Sequence, residues 1–277
     1  MDPSLILIIS AAFHALWNFA LKRSQHKLGA ALAFMVLATI LNAIYGAITA
    51  PLPSLNAPLV LGTAAAGLCE GFYFYLLNTA YAKQSLGFAY TIMRGGAMVL
   101  VWTISTIALQ ETITPRDGAC VLAILFGIAL VQRSLSWREL IASGAYAAYL
   151  CAGCIAGYHI AYGIAVRTGA APAHVFAAAM ACGVVTYIAC SRGKALRLMY
   201  DALAHERGLV TLGGVMCGLS FLLFLTALTL VDPGRAISLR NTSVAFGAGL
   251  SLLIGERLSP LQWVGAACVA VGAVGLL

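Results

Sequence analysis

Charge is what this chain has least of. Of its 277 residues only 9% are Asp, Glu, Lys or Arg, against roughly a quarter in soluble globular proteins. With 62% hydrophobic residues and a mean hydropathy of +0.95, no soluble fold could hide its apolar surface. Polar stretches long enough to form a separate domain are lacking, so nothing is left to hold a cofactor, and none is expected. Missing too are H-E-x-x-H, G-x-S-x-G and a Walker loop, which removes the usual grounds for reading an enzyme. Alternating segments of ~10 residues, the mark of a membrane barrel, do not occur. A basic leader is also absent: Met1-Asp2-Pro3 precedes the first apolar run, and Lys22, Arg23 and Lys27 follow it. That order is the reverse of a secretory signal, so the first run is expected to stay as a helix.

The eight cysteines, including the C-x-x-C of Cys151 and Cys154, all fall inside apolar runs. A disulfide or zinc framework has no loop to occupy there. The thiols read as small buried hydrophobes, with no redox role and no metal site.

What the chain does have is a series of apolar runs near 4–21, 28–50, 59–81, 86–109 and 118–132, then near 140–166, 172–190, 208–230, 235–254 and 260–277. A spanning helix needs ~20 apolar residues. The expected fold class is therefore all-α integral membrane, with ten transmembrane helices and the lipid bilayer as principal partner. Basic residues set the orientation. Connections after odd-numbered runs carry Lys22, Arg23, Lys27, Lys83, Arg133, Arg138, Arg192, Lys194, Arg197, Arg207 and Arg257; those after even-numbered runs carry only Arg116, Arg167 and Arg235. Odd connections are thus expected in the cytoplasm of a cell with its inner membrane crossed many times, and both termini outside it. The +7 balance is then a topology signal, and no nucleic-acid partner is needed to explain it.

The second half repeats the first. Ala80, Gly87 and Ala89 recur as Ala227, Gly234 and Ala236; E-T-I-T-P from Glu111 recurs as E-R-L-S-P from Glu256; Gly127 recurs as Gly272. Between these blocks Arg94 falls opposite Arg240. Five helices per repeat, 1–135 and 136–277, is an odd number, so the halves insert in opposite senses, an arrangement that places a substrate near the midplane.

The ending G-E-R-L-S-P-L-Q-W-V-G-A-A-C-V-A-V-G-A-V-G-L-L, residues 255–277, resembles the close of an EamA repeat of the drug/metabolite transporter superfamily, and the segment after Glu111 is a weaker counterpart. The opening H-A-L-W-N-F-A-L-K, residues 14–22, resembles that family's first helix, with Asn18 where many relatives have Gly. It is also similar to the start of a branch associated with phosphonate use. The resemblance spans the chain as two repeats and implies an alternating-access carrier of small metabolites. The substrate does not follow from it, because the pocket and not the scaffold chooses the ligand.

Candidate binding residues come from ionisable groups that a bilayer would otherwise reject. An Arg at a helix centre costs ~2.5–3.5 kcal/mol on insertion scales, so it normally faces the bundle interior and finds partners. Arg94 and Arg240, entering from opposite faces, read either as guanidinium forks for a carboxylate, phosphonate or phosphate, or as packing braces. Arg240, ~8 Å along its helix, could equally snorkel to the surface. Glu70 is expected to form a salt bridge to Arg94, and beyond that reads as a proton-coupling candidate. His14 and His159 read as proton-coupling candidates or as interhelical hydrogen-bonders. Trp17 and Asn18 beside His14, and Tyr90 one turn before Arg94, complete the expected substrate-binding set.

Two functions follow. One is a secondary carrier of a small anionic or zwitterionic metabolite (amino acid, carboxylate or phosphonate-like) held by Arg94 and Arg240. The alternative is a proton-coupled exporter of organic cations or drugs in which Glu70 alternates between proton and substrate. Both take a small-molecule partner, and the oligomeric state is open between monomer and homodimer.

Overall fold

In a computed structural model, residues 2–83, 92–108, 110, 114–132, 145–252 and 259–276 are described, and nearly all of them are helical. The helices are α1 (Pro3–Arg23), α2 (Lys27–Thr49), α3 (Ala57–Lys83), a π-helical turn (Ile92–Gly96) leading into α4 (Ala97–Ala108), α5 (Pro115–Gln132) and α6 (Tyr146–Val166). Then come α7 (Pro172–Cys190), α8 (Lys194–His205), α9 (Arg207–Leu228), α10 (Pro233–Arg240), α11 (Ser243–Leu252) and α12 (Pro260–Gly275). Glu111, Glu256 and Tyr90 lie outside the described residues.

Helix starts follow local chemistry. Asp2 accepts a bond from the Ser4 amide at 2.7 Å, with Pro3 opening α1. Thr114 and Asp117 cap the start of α5 reciprocally, and Ser259 with Gln262 forms a capping box ahead of Pro260. These are the two Thr-Pro and Ser-Pro starts that the repeat pairs.

Among the described residues, six helices are long and apolar enough to cross a membrane: Pro3–Arg23, Lys27–Thr49, Ala57–Ala80, Tyr146–Val166, Pro172–Cys190 and Arg207–Leu228. The chain is a multi-pass, all-α membrane protein. The other expected spans take different forms. The described part of the fourth run begins with a π turn, and the ninth is broken into helices of eight and ten residues, with the four polar residues Arg240-Asn241-Thr242-Ser243 at the break. The connection expected between the seventh and eighth runs is itself a helix, α8. Large apolar side chains left exposed, such as Ile44, Ile48, Leu122 and Val185, lie along the long helices, where acyl chains would cover them.

Packing follows a twofold pattern. α3 packs on α6 and α7, α1 on α9 and on α10–α11, α2 on α7 and α9, α4 on α6 and α10, and α5 on α12. Numbering the apolar runs in order, adding five exchanges the first–eighth contact with the third–sixth, the third–seventh with the second–eighth, and the first–ninth with the fourth–sixth. Second–seventh, fourth–ninth and fifth–tenth map onto themselves.

The α5–α12 crossing shows how close these contacts are. A Cβ on Gly127 would lie 2.6 Å from the Gly265 carbonyl oxygen, and one on Gly265 would lie 2.7 Å from that of Gly127. Backbones touch because neither residue has a side chain. The glycine face of α12 is thus filled by the same chain.

At the end of the bundle where α1 meets α2, the Glu206 carboxylate accepts from the Ser24 hydroxyl at 2.5 Å and the Gln25 amide at 2.7 Å. Desolvation pushes its pKa up, but these bonds outweigh it and hold the carboxyl below its ordinary range.

Gly265→Leu is expected to destabilise the detergent-solubilised protein by ~1–3 kcal/mol through overpacking, read as a lower Tm. Because Glu206 has a depressed pKa when folded, its contribution is present above the unfolded carboxylate value of about 4.3 and lost as pH falls through the folded value. Wild type should therefore melt above Glu206→Gln at neutral pH, and the two should converge in acid.

Candidate functional site

The broken ninth run delivers its arginine to the middle of the bundle. Arg240 ends α10, is fully buried, and is followed by buried Asn241, Thr242 and Ser243. Its guanidinium carbon sits 4.3 Å from the ring centres of both Phe221 and Phe224 on α9, a cation–π clamp. Nη2 faces His14 Nδ1 at 3.3 Å and the Ser220 hydroxyl at 3.5 Å. Nε and Nη1 have no hydrogen-bond partner. The snorkelling reading of Arg240 is therefore corrected: the helix break, not the distance along a regular helix, determines where the side chain lies.

His14 is built from α1. Its Nδ1 accepts from Trp17 Nε1 at 3.2 Å, on the same side from which Arg240 approaches. With two N–H groups aimed at Nδ1, the proton of the neutral ring belongs on Nε2, which is buried with no partner. Trp17 is fully buried, meets His14 edge-on, and packs on Phe74, so it positions the imidazole. Asn18 is only partly buried and donates to the His14 carbonyl at 2.8 Å, bonding back along its own helix. One turn earlier, Ser10 and Ser220 exchange hydroxyl-to-carbonyl bonds at 2.7 and 2.9 Å, pinning α1 to α9 beside Arg240.

The third wall is α6. His159 donates from Nδ1 to the Ile155 carbonyl at 2.8 Å, which leaves Nε2 as an acceptor without a partner. Its ring stacks on Tyr158 at 4.5 Å and meets Phe224 at 4.8 Å. Tyr162 donates to Glu70 Oε2 at 2.7 Å, and Glu70 Oε1 is unpartnered. The expected Glu70–Arg94 salt bridge is not present among the described residues. Glu70 on α3 faces α6, and the phenol of Tyr162 takes the carboxylate oxygen that a guanidinium would have taken.

Arg94 lies in the π-helical turn and is buried. Such turns insert a residue into the helical ladder and are frequent at functional sites. Its charge is felt at His14, Tyr158, His159 and Arg240. Both interior arginines thus sit where their helix loses regularity, in the fourth and ninth runs that pack on each other. Tyr90 lies outside the described residues. Near the end of the bundle, an exposed Arg167–Asp232 ion pair at 2.6 Å joins the end of α6 to the start of α10.

The site therefore gathers Arg240, His14, His159 and Glu70 around an aromatic wall, with Arg94 acting through its field. The residues not expected from the sequence are Ser10, Ser220, Phe221, Phe224 and Tyr162. The phenylalanines carry no signal that separates them from lipid-facing neighbours; the two serines differ from their surroundings only by being polar in an apolar run.

The unsatisfied set is chemically specific. Donors remain on Arg240 Nε and Nη1 and on His14 Nε2, and acceptors on Glu70 Oε1 and His159 Nε2. A buried guanidinium with no carboxylate on it is costly.

Residues 142–277 match the model of the EamA-like transporter family. No curated protein sequence matches the chain. A solved structure described only as "Crystal structure of protein" superposes with a TM-score of 0.72 at 17% identity, over 99% of this chain and 98% of that one. This likeness concerns the fold alone.

If Arg240 is kept for a ligand and not for packing, Arg240→Met should leave the Tm unchanged or raise it, by up to ~1–4 kcal/mol in stability. A clear fall in Tm would mark Arg240 as a structural brace.

Proposed function

We propose that this chain, which belongs to the EamA-like transporter family through its residues 142–277, is a secondary carrier that moves a small anionic or zwitterionic metabolite by alternating access, with Arg240 holding the anionic group. The observation that carries this reading is the fully buried guanidinium whose Nε and Nη1 are unpartnered, beside the unpartnered Nε2–H of His14. These are fork-shaped donors for a carboxylate, phosphonate or phosphate. Phe221 and Phe224 present their ring faces to the charge, and Arg94 adds a second positive field.

The reading includes ten spans in two inverted repeats, 1–135 and 136–277, inserted in the inner membrane with both termini outside. Support comes from the contacts that exchange when five is added to each run number, and from a family match that begins at residue 142. Substrate lies between the repeats, where the two irregular helices meet. Irregular backbone within a bilayer is tolerated where it is buried in protein or lines a cavity, and it supplies the places where a helix can bend between outward and inward states.

A second reading is favoured by Glu70. Its Oε1 is also unpartnered, within an aromatic wall that includes Tyr158 and Tyr162, so an organic cation exchanging with a proton at Glu70 would use the same interior. Arg240 is then structural.

Purified protein in detergent, heated with a panel of carboxylates, phosphonates, zwitterionic amino acids and organic cations at two pH values, separates them. Anions or zwitterions should raise the Tm of wild type and of Glu70→Gln. Arg240→Gln should weaken that binding ~10–100-fold, the loss of one or two charge-assisted bonds. Stabilisation by cations alone, lost in Glu70→Gln and kept in Arg240→Gln, overturns the anion carrier.

A further inference from the structure

Helix α8 has no role in the carrier reading, and its composition sets it apart from every spanning helix. At twelve residues it is too short to cross a bilayer, which takes ~20. The chain enters it through a tight reversal after α7, with Arg192 at φ 51° and Gly193 at φ 74°, both in the left-handed region. Its middle then crosses the first turn of α2 so closely that a Cβ on Gly29 would lie 2.0 Å from the Leu198 carbonyl oxygen. At its end, Glu206 is tied to Ser24 and Gln25. The helix is therefore docked at three points across the end of the bundle.

Its faces divide in three. Ala195 and Ala202 are buried against the bundle. About a third of a turn away, Leu196, Tyr200 and Leu203 are 46%, 74% and 44% exposed, at the i, i+4, i+7 spacing of a single stripe. The rest of the circumference carries Lys194, Arg197, Asp201 and His205. Lys27, Arg192 and Arg207, at the ends of the segments that α8 joins or packs on, are further exposed cations, while the carboxylates on and directly after α8 are Asp201 and the already bonded Glu206. A short helix with an open apolar stripe, a cationic flank, and both neighbours in sequence spanning the membrane has the makeup of a helix lying in the lipid interface.

We propose that α8 lies in the plane of the membrane surface, with Leu196, Tyr200 and Leu203 at the acyl-chain boundary and Arg192, Lys194 and Arg197 holding the phosphate head groups of anionic phospholipids. The occupant follows from charge complementarity together with geometry: the stripe requires an apolar layer beside the packed face, and the cations require negative charge at its rim. Lipid bound there would brace the α1–α2 and α7–α9 connections on one side of the membrane. This inference is independent of the substrate site.

The test uses the full chain in nanodiscs of phosphatidylcholine, with or without phosphatidylglycerol as part of the lipid. Nitroxide labels on Leu196→Cys and Tyr200→Cys should collide with oxygen in preference to a water-soluble nickel reagent, and labels on Arg197→Cys and Ala204→Cys should show the reverse, measured over the background of the eight native thiols. Phosphatidylglycerol should raise the Tm, and the combined Arg192→Gln, Lys194→Gln, Arg197→Gln variant, altered only at exposed side chains, should lose that rise. Equal nickel accessibility at all four labels would overturn the in-plane placement. A rise retained by the triple variant, or reproduced in phosphatidylcholine by inorganic phosphate, would overturn the assignment to anionic lipid.

Discussion

A fully desolvated guanidinium organises the centre of this protein. A bilayer would expel Arg240, and the chain keeps it by surrounding the charge with partial compensations: two phenylalanine faces at 4.3 Å, one imidazole nitrogen and one serine hydroxyl. None of these is a carboxylate, so the compensation is incomplete. On the proposed reading, an anion entering the interior would satisfy the donors that the protein leaves open.

The backbone serves the same end. A regular helix through residues 233–252 would bond its peptide groups internally from end to end. The break at Asn241–Thr242 interrupts it, as the π turn at Ile92–Gly96 does in the run it packs against. These irregular helices are flanked by pairs with little freedom, such as α5 and α12, whose backbones touch at Gly127 and Gly265. Under the proposed alternating access, the interrupted helices beside these close crossings are where the bundle would bend. Under the proposed carrier function, motion and binding share the same residues.

Much of the fold was legible because a bilayer is a demanding solvent. Apolar runs of sufficient length become helices there, and Thr114-Pro115 and Ser259-Pro260 mark helix starts by chemistry that acts over three or four residues. At the site, His14 and His159 are buried, as few other fates are open to polar groups in apolar runs, whereas the burial of Arg240 replaces the expectation that it could snorkel. The partner of Glu70 was not legible. Choosing Tyr162 over Arg94 depends on how α3 and α6 are rotated against each other, a property of side-chain packing summed along both helices. The same holds for Phe221 and Phe224, which in sequence look like any other apolar pair. In sequence, amphipathic α8 reads as a connection, because its cations carry the topology signal and its three exposed apolar residues are too few to form a run.

The sequence by itself determined the class of molecule: all-helical and spanning the membrane with charge inside it, because local hydropathy and the cost of unpaired polar groups leave no other solution. Tertiary structure decided which charges meet. It placed Arg240 between two rings and against His14, turned Glu70 toward Tyr162, and laid α8 across the end of the bundle, since each depends on contacts between residues far apart in the chain that no local pattern encodes.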